Sequence, residues 1–164
     1  MVAGGGVRDY IISGDEVVYR ADQDIDEVVM LYSVNIRDPQ PVRLNPDLVP
    51  GADISATYTV HGGRVVYVSD QDAPQDFALY SVDLRGGDVT RINAPLPPSG
   101  DVQDFAFDAF MVIYLADQEV NERPELYRVP LEGGPPRRIN APLAATDAGI
   151  VDFQAADGLI GYLV

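Results

Sequence analysis

Neither cysteine nor lysine occurs among the 164 residues, and histidine occurs once, as His61. Without cysteine there can be no disulfide and no thiol nucleophile, although this leaves the compartment open. A run of about 18 apolar residues is also missing, so no membrane-spanning helix is expected. Met1-Val2-Ala3-Gly4-Gly5-Gly6 has neither the basic nor the apolar stretch of a signal peptide. Positive charge is scarce: 26 acids face 11 bases, all arginine, for a net charge of −15. Such a surface repels phosphate backbones, so nucleic acid and anionic membranes are not expected partners, whereas cations and basic partners are attracted. Solubility is the simplest use of that charge, and acidic, lysine-free surfaces also suit high-salt or high-GC organisms. No window holds a sustained 3.6-residue period. A hydrophobic fraction of 46% still places the chain with folded proteins.

What is present is repetition. Tyr19-Arg20-Ala21-Asp22-Gln23-Asp24 returns as Tyr67-Val68-Ser69-Asp70-Gln71-Asp72 and as Tyr114-Leu115-Ala116-Asp117-Gln118-Glu119. In each copy a second tyrosine follows after 13 residues, in Leu31-Tyr32, Leu79-Tyr80 or Leu126-Tyr127. After 13 more comes Leu44-Asn45, Ile92-Asn93 or Ile139-Asn140. The period is 48 and then 47 residues, the size of a supersecondary unit.

Each unit reads as four short strands. Val17-Val18-Tyr19, Val65-Val66-Tyr67 and Met111-Val112-Ile113-Tyr114 are β-branched and aromatic runs bounded by Gly, Asp or Pro. The segments starting at Leu31, Leu79 and Leu126 alternate apolar and polar residues, as strands with one wet side do. Tyr10, Tyr58, Phe105 and Phe153 each lie 9 residues before Tyr19, Tyr67, Tyr114 and Tyr162, which predicts a hairpin joining the first and second strands. Its turns are Ser13-Gly14-Asp15, His61-Gly62-Gly63 and Ala156-Asp157-Gly158, while Asp108-Ala109-Phe110 departs from the pattern in the shorter copy. Arg37-Asp38-Pro39-Gln40, Arg85-Gly86-Gly87-Asp88 and Glu132-Gly133-Gly134-Pro135 read as turns before a short fourth strand. Proline-rich links such as Asn93 to Gly100 then carry the chain to the next unit.

Four-stranded antiparallel units repeated in this way predict an all-β fold, a β-propeller with blades at about 7–45, 54–93 and 102–140 and a partial blade over 150–164. Three blades and a hairpin fall short of the usual ring of about 4–8 blades. The expectation is therefore a single propeller fragment, 1–164, of a longer protein, or two copies completing a ring as a homodimer.

The stretch Leu79-Tyr80-Ser81-Val82-Asp83-Leu84-Arg85-Gly86-Gly87 leading into Arg91-Ile92-Asn93 resembles the TolB-type WD-like propeller repeat, as does Tyr67-Val68-Ser69-Asp70 before it. The resemblance runs from Val7 onward, with differences. The family's Ser-Pro-Asp-Gly turn is only echoed, in Ser13-Gly14-Asp15 and Asp157-Gly158. Asn45, Asn93 and Asn140 replace its usual Thr, and the link between second and third strands is longer than is common. The resemblance implies a bacterial module of the periplasm or cell surface that binds protein or peptide, or a domain beside a catalytic one.

The sharpest candidate site is the acidic loop after the second strand: Asp22, Asp24, Asp26 and Glu27, then Asp70, Asp72 and Asp76, then Asp117, Glu119 and Glu122. In a propeller this loop emerges on the same face as the link after the fourth strand, so the carboxylates of Asp22, Asp24, Asp70, Asp72, Asp117 and Glu119 are the candidate binding face. They are also candidates for Ca²⁺ through oxygen ligands. An EF-hand fails, because its sixth position, Glu27, is not glycine and its twelfth is Ser33. The plainer reading is Asp capping of turns. The repeated tyrosines are expected to pack blade against blade rather than form a carbohydrate or peptide platform. His61 reads as a turn residue.

Catalysis finds little support. The chain holds no Gly-x-Ser-x-Gly, and its six serines share one histidine. Gly4-Gly5-Gly6 is not followed by the Lys-Ser/Thr of a phosphate loop. Acids are abundant, but nothing singles out a pair for glycoside hydrolysis. The expected function is non-catalytic binding of a protein or peptide, possessing cationic character, with no cofactor. The alternatives are the propeller half of a larger enzyme, such as a serine peptidase or other hydrolase, and a purely structural array.

Overall fold

The computed structural model describes residues 5–144, 146–156 and 158–164. Among them the ordered elements are strands, with no helix. Strands β1 (Val7–Ser13), β2 (Glu16–Ala21), β3 (Met30–Asn35) and β4 (Asp38–Arg43) form one antiparallel sheet in that order. The next sheet is β5 (Ile54–His61), β6 (Arg64–Ser69), β7 (Ala78–Asp83) and β8 (Thr90–Arg91). The third is β9 (Val102–Asp108), β10 (Met111–Ala116), β11 (Glu125–Pro130) and β12 (Arg137–Arg138). A hairpin of β13 (Asp152–Ala156) and β14 (Leu159–Leu163) follows. The fold is all-β, built of propeller-type blades.

The described residues fall into two compact units, one within Met1–Gln75 and Tyr80–Thr90, the other within Asp76–Leu79 and Arg91–Val164. In the first, Tyr19, Ala21, Met30 and Tyr32 form a buried cluster with Val17, Val28, Val34 and Leu48 packed on it. In the second, Ile113, Leu115 and Leu126 of the third sheet pack with Ile150 and Phe153 at the hairpin. Burial runs through consecutive residues in the middle strands: Val65, Val66, Tyr67 and Val68 are all at most 3% exposed. Successive side chains point to opposite faces, so both faces of β6 are covered. This is why these runs are apolar without alternation.

The register follows the nine-residue offset, pairing Tyr10 with Tyr19, Tyr58 with Tyr67, Phe105 with Tyr114 and Phe153 with Tyr162. All four hairpins close with two residues. Gly14, Gly62, Gly63 and Gly158 supply the positive φ that such turns need, while Asp157 lies outside the described residues. In the third copy Ala109 does this job at φ 53, a conformation unfavourable for a side chain with a Cβ. The length difference between copies lies elsewhere. Between Ile54 and Tyr58 the chain takes four steps where Val102 to Phe105 takes three, and the extra residue sits in the bulge of β5.

One expectation needs correcting. Asp38-Pro39-Gln40 is not a turn but the start of β4, because Asn35 Oδ1 accepts from Arg37 N at 2.9 Å and Asn35 already pairs with Asp38. Pro39 is tolerated since β4 is an edge strand. The repeated tyrosines are buried, and within each sheet they stack across neighbouring strands: Tyr19 on Tyr32, Tyr67 on Tyr80 and Tyr114 on Tyr127, with ring centroids 5.4, 5.5 and 5.3 Å apart.

Candidate functional site

The repeated phrase folds into the corner between the second and third strands. Its tyrosine hydroxyl donates to the glutamine four residues on: Tyr19 to Gln23 at 3.1 Å, Tyr67 to Gln71 at 2.9 Å and Tyr114 to Gln118 at 2.7 Å. Tyr67 and Tyr114 are fully buried, and burial raises their phenol pKa values above the ordinary range.

Between tyrosine and glutamine stands the first acid of each loop. Asp22, Asp70 and Asp117 are buried, and one oxygen of each accepts the backbone N–H that leads into the first strand, from Gly6, Asp53 or Asp101. The second oxygen of Asp70 accepts from Gln75 N at 2.8 Å and that of Asp117 from Glu122 N at 2.9 Å. Glu27, Gln75 and Glu122 all have φ between 59 and 70, so the three loops share one left-handed step. In the first copy Arg8 takes the second oxygen of Asp22 at 2.9 Å. The Gly6 N–H is the chief cause holding the Asp22 carboxyl below its usual pKa, with Arg8 adding to it.

Asp24, Asp72 and Glu119 are exposed by contrast. Tyr80 donates to Asp72 at 2.8 Å, and Glu119 meets Arg138 at 3.2 Å. Burial, aided by Asp24 beside Tyr32 and Glu119 beside Tyr127, raises both phenol pKa values. The candidate acids thus separate into two sets, one turned inward to backbone N–H groups and one turned out to solvent. Among the described residues, no three of Asp, Glu, His and Cys converge as a metal site would require. Calcium at the inner set would have to displace the N–H donors already bound there. His61 ends β5 opposite Arg64.

Sequence reasoning assigned no role to three further residue sets. Asn45, Asn93 and Asn140 accept from Leu31, Leu79 and Leu126 N at 2.8, 2.9 and 3.0 Å. Each donates its amide N–H to the carbonyl of the next residue, tying the end of the fourth strand to the third. Asp53 and Asp101 accept from Val29 and Phe77 N, which precede β3 and β7. The corresponding pair in the last copy is Pro124 and Gly149. Proline has no N–H to give, and no acid stands opposite it. The backbone bond common to the three copies remains, Ile54 N to Val29 O, Val102 N to Phe77 O and Ile150 N to Pro124 O, and a Cβ on Gly149 would lie 2.7 Å from Pro124 N. The fixed offset of 14 residues from Leu31 to Asn45, repeated twice, was the available signal for the asparagine.

No protein-family profile matches the sequence, and no curated protein resembles it closely enough to count as a relative. Solved structures do resemble it. Dipeptidyl peptidase 4 of Porphyromonas gingivalis overlays with a TM-score of 0.65 and 19% identity, over 84% of this chain and 20% of that one. A structure from work on two prolyl endopeptidases gives 0.66 and 14%, over 97% and 24%. Puromycin hydrolase gives 0.59 and 13%, over 96% and 25%. The chain thus spans a quarter or less of each of these proteins, and the likeness lies in their propeller domains. At these identities the shared property is the fold.

Proposed function

We propose that the chain is part of a non-catalytic, TolB-like propeller module of a larger bacterial protein, periplasmic or at the cell surface, that binds a cationic protein or peptide at its corner loops. One observation carries this reading. With Asp22, Asp70 and Asp117 turned inward, the loops still present Asp24, Asp26, Glu27, Asp72, Asp76, Glu119 and Glu122 to solvent. Within the first loop Ile25 stands between Asp24 and Asp26, and within the third Val120 follows Glu119, 52% and 54% accessible. Carboxylates around an apolar tip suit a partner with basic and apolar groups. Titration calorimetry with an Arg-Leu-rich peptide tests it: binding should weaken with salt and fall with Asp24→Asn/Asp26→Asn/Glu27→Gln. Binding unaffected by that triple change would sink the reading.

A second reading, the propeller part of a larger peptidase or hydrolase, is supported by the overlays on such enzymes. A Gly-x-Ser-x-Gly segment elsewhere in the full-length gene product would favour it.

A further inference from the structure

The three copies agree at the corner but not on the outer flank of the sheet, where the third and fourth strands lie. In the first sheet this flank is a groove of about 330 Å³ whose lining includes Glu16, Asp38 and Ser33, with one arginine, Arg85, beside the two acids. In the third sheet it is a groove of about 460 Å³ lined by Arg128, Arg137 and Arg138 with Met111, Pro130 and Pro135 among the rest, and by no carboxylate. Three of the 11 arginines of a chain with net charge −15 meet there.

The pairing makes this arrangement costly. Arg128 and Arg137 stand directly opposite each other on β11 and β12, so their side chains lie on one face, where like charges repel. The first sheet places Ser33 against Val42 at this point, and the second copy has Ser81 and Thr90 at the same positions. Arg138 is held by Glu125 at 3.1 Å and Glu119 at 3.2 Å. Arg128 reaches Asp108 only at 3.4 Å, and Arg137 has no acidic partner among the described residues. Inside the protein the facing pair is thus offset only by the Arg128–Asp108 contact, and a carboxylate brought by a ligand would relieve the remaining repulsion.

From this we infer that the Arg128–Arg137 groove binds an extended acidic peptide of another protein. One carboxylate of the peptide sits between the two guanidinium groups, and its neighbouring apolar side chains lie on Met111, Pro130 and Pro135. The match is one of charge and shape: guanidinium forks suit carboxylates, and β12, two residues long, is the sheet's edge, open to a further extended strand. A second copy of this chain is a poor occupant, since two molecules of charge −15 repel. The site does not depend on the corner loops or on the binding proposed for them.

The test uses a fluorescein-labelled Gly-Leu-Glu-Pro-Glu-Leu-Glu-Gly peptide and fluorescence anisotropy at low salt. Saturable binding is expected, and Arg128→Ser/Arg137→Thr, which installs the residues of the second copy, should weaken it roughly tenfold or more. Arg137→Thr alone touches an exposed side chain and should weaken binding with the circular dichroism spectrum unchanged. The peptide with glutamine for glutamate should not bind. Unaltered affinity in the double variant, full displacement by millimolar inorganic phosphate, or peptide-independent self-association through this face would each overturn the assignment.

Discussion

The corner between second and third strands and the outer flank of the sheet are built by the same repeat, yet they behave as opposites. At the corner, tyrosine, aspartate, glutamine and asparagine recur because each side chain satisfies a particular backbone or hydroxyl group. On the flank the same positions hold serine, arginine, valine or threonine, and their partners differ from copy to copy: Ser81 accepts from Arg64, whereas Arg128 reaches Asp108. Sameness between copies here marks structural need, and divergence marks freedom for binding. An acidic loop that looks like one feature is in fact two: an inner aspartate that holds the chain and an outer carboxylate that meets solvent.

The largest expected effect comes from the junction where Pro124 and Gly149 stand in place of an N–H donor and an aspartate. Gly149→Ala should lower stability by about 2–4 kcal/mol, since φ is 119 and the new Cβ would collide with the Pro124 backbone. Denaturant unfolding measures this. Next, Asp70→Ala should cost about 2–3 kcal/mol by stranding the N–H groups of Asp53 and Gln75. Its exposed neighbour tests the contrast: Asp72→Ala loses a partly buried bond to Tyr80, and about 0.5–1 kcal/mol is expected. Equal losses at 70 and 72 would erase the distinction between inner and outer acids.

Acid should reveal a related lock between the first strands of the first two sheets. Arg20, then Tyr58, hydrogen-bonds Asp9 and holds its carboxyl below the usual pKa, against the opposing effect of burial. The folded state therefore binds fewer protons than the unfolded one just below the ordinary carboxylate pKa of about 3.9. Its stabilisation is complete above that value and is lost as pH falls through the depressed one. Asp9→Asn should flatten the pH dependence of unfolding below about pH 4. The smallest effect belongs to the flank: Arg137→Thr should stabilise slightly, by up to about 0.5 kcal/mol, by removing a like-charge pair. A clear destabilisation would mean that the flank, too, is fixed by the fold.

Much of this architecture was legible in the chain. The offset of nine residues gave every hairpin register, because a two-residue turn leaves no other pairing. The position of β4 was hidden, since Asp38-Pro39 reads as a turn until Asn35 is seen to close a tighter one. The division of the acids was also hidden: Asp70 and Asp72 are chemically alike, and only the burial of one separates them. The pairing of Pro124 with Gly149 shows the limit most clearly. Each is unremarkable alone, and their relation spans 25 residues of sequence and a single hydrogen bond, from Ile150 to Pro124.

Native-state amide hydrogen exchange tests the central claim that repeated side chains are latches on backbone groups. The amides of Leu31, Leu79 and Leu126, bound by the three asparagines, and those of Asp53 and Asp101, bound by the inner aspartates, should be protected as strongly as the central-strand amides. Exchange at these five sites as fast as in the exposed loop around Asp24 would contradict it.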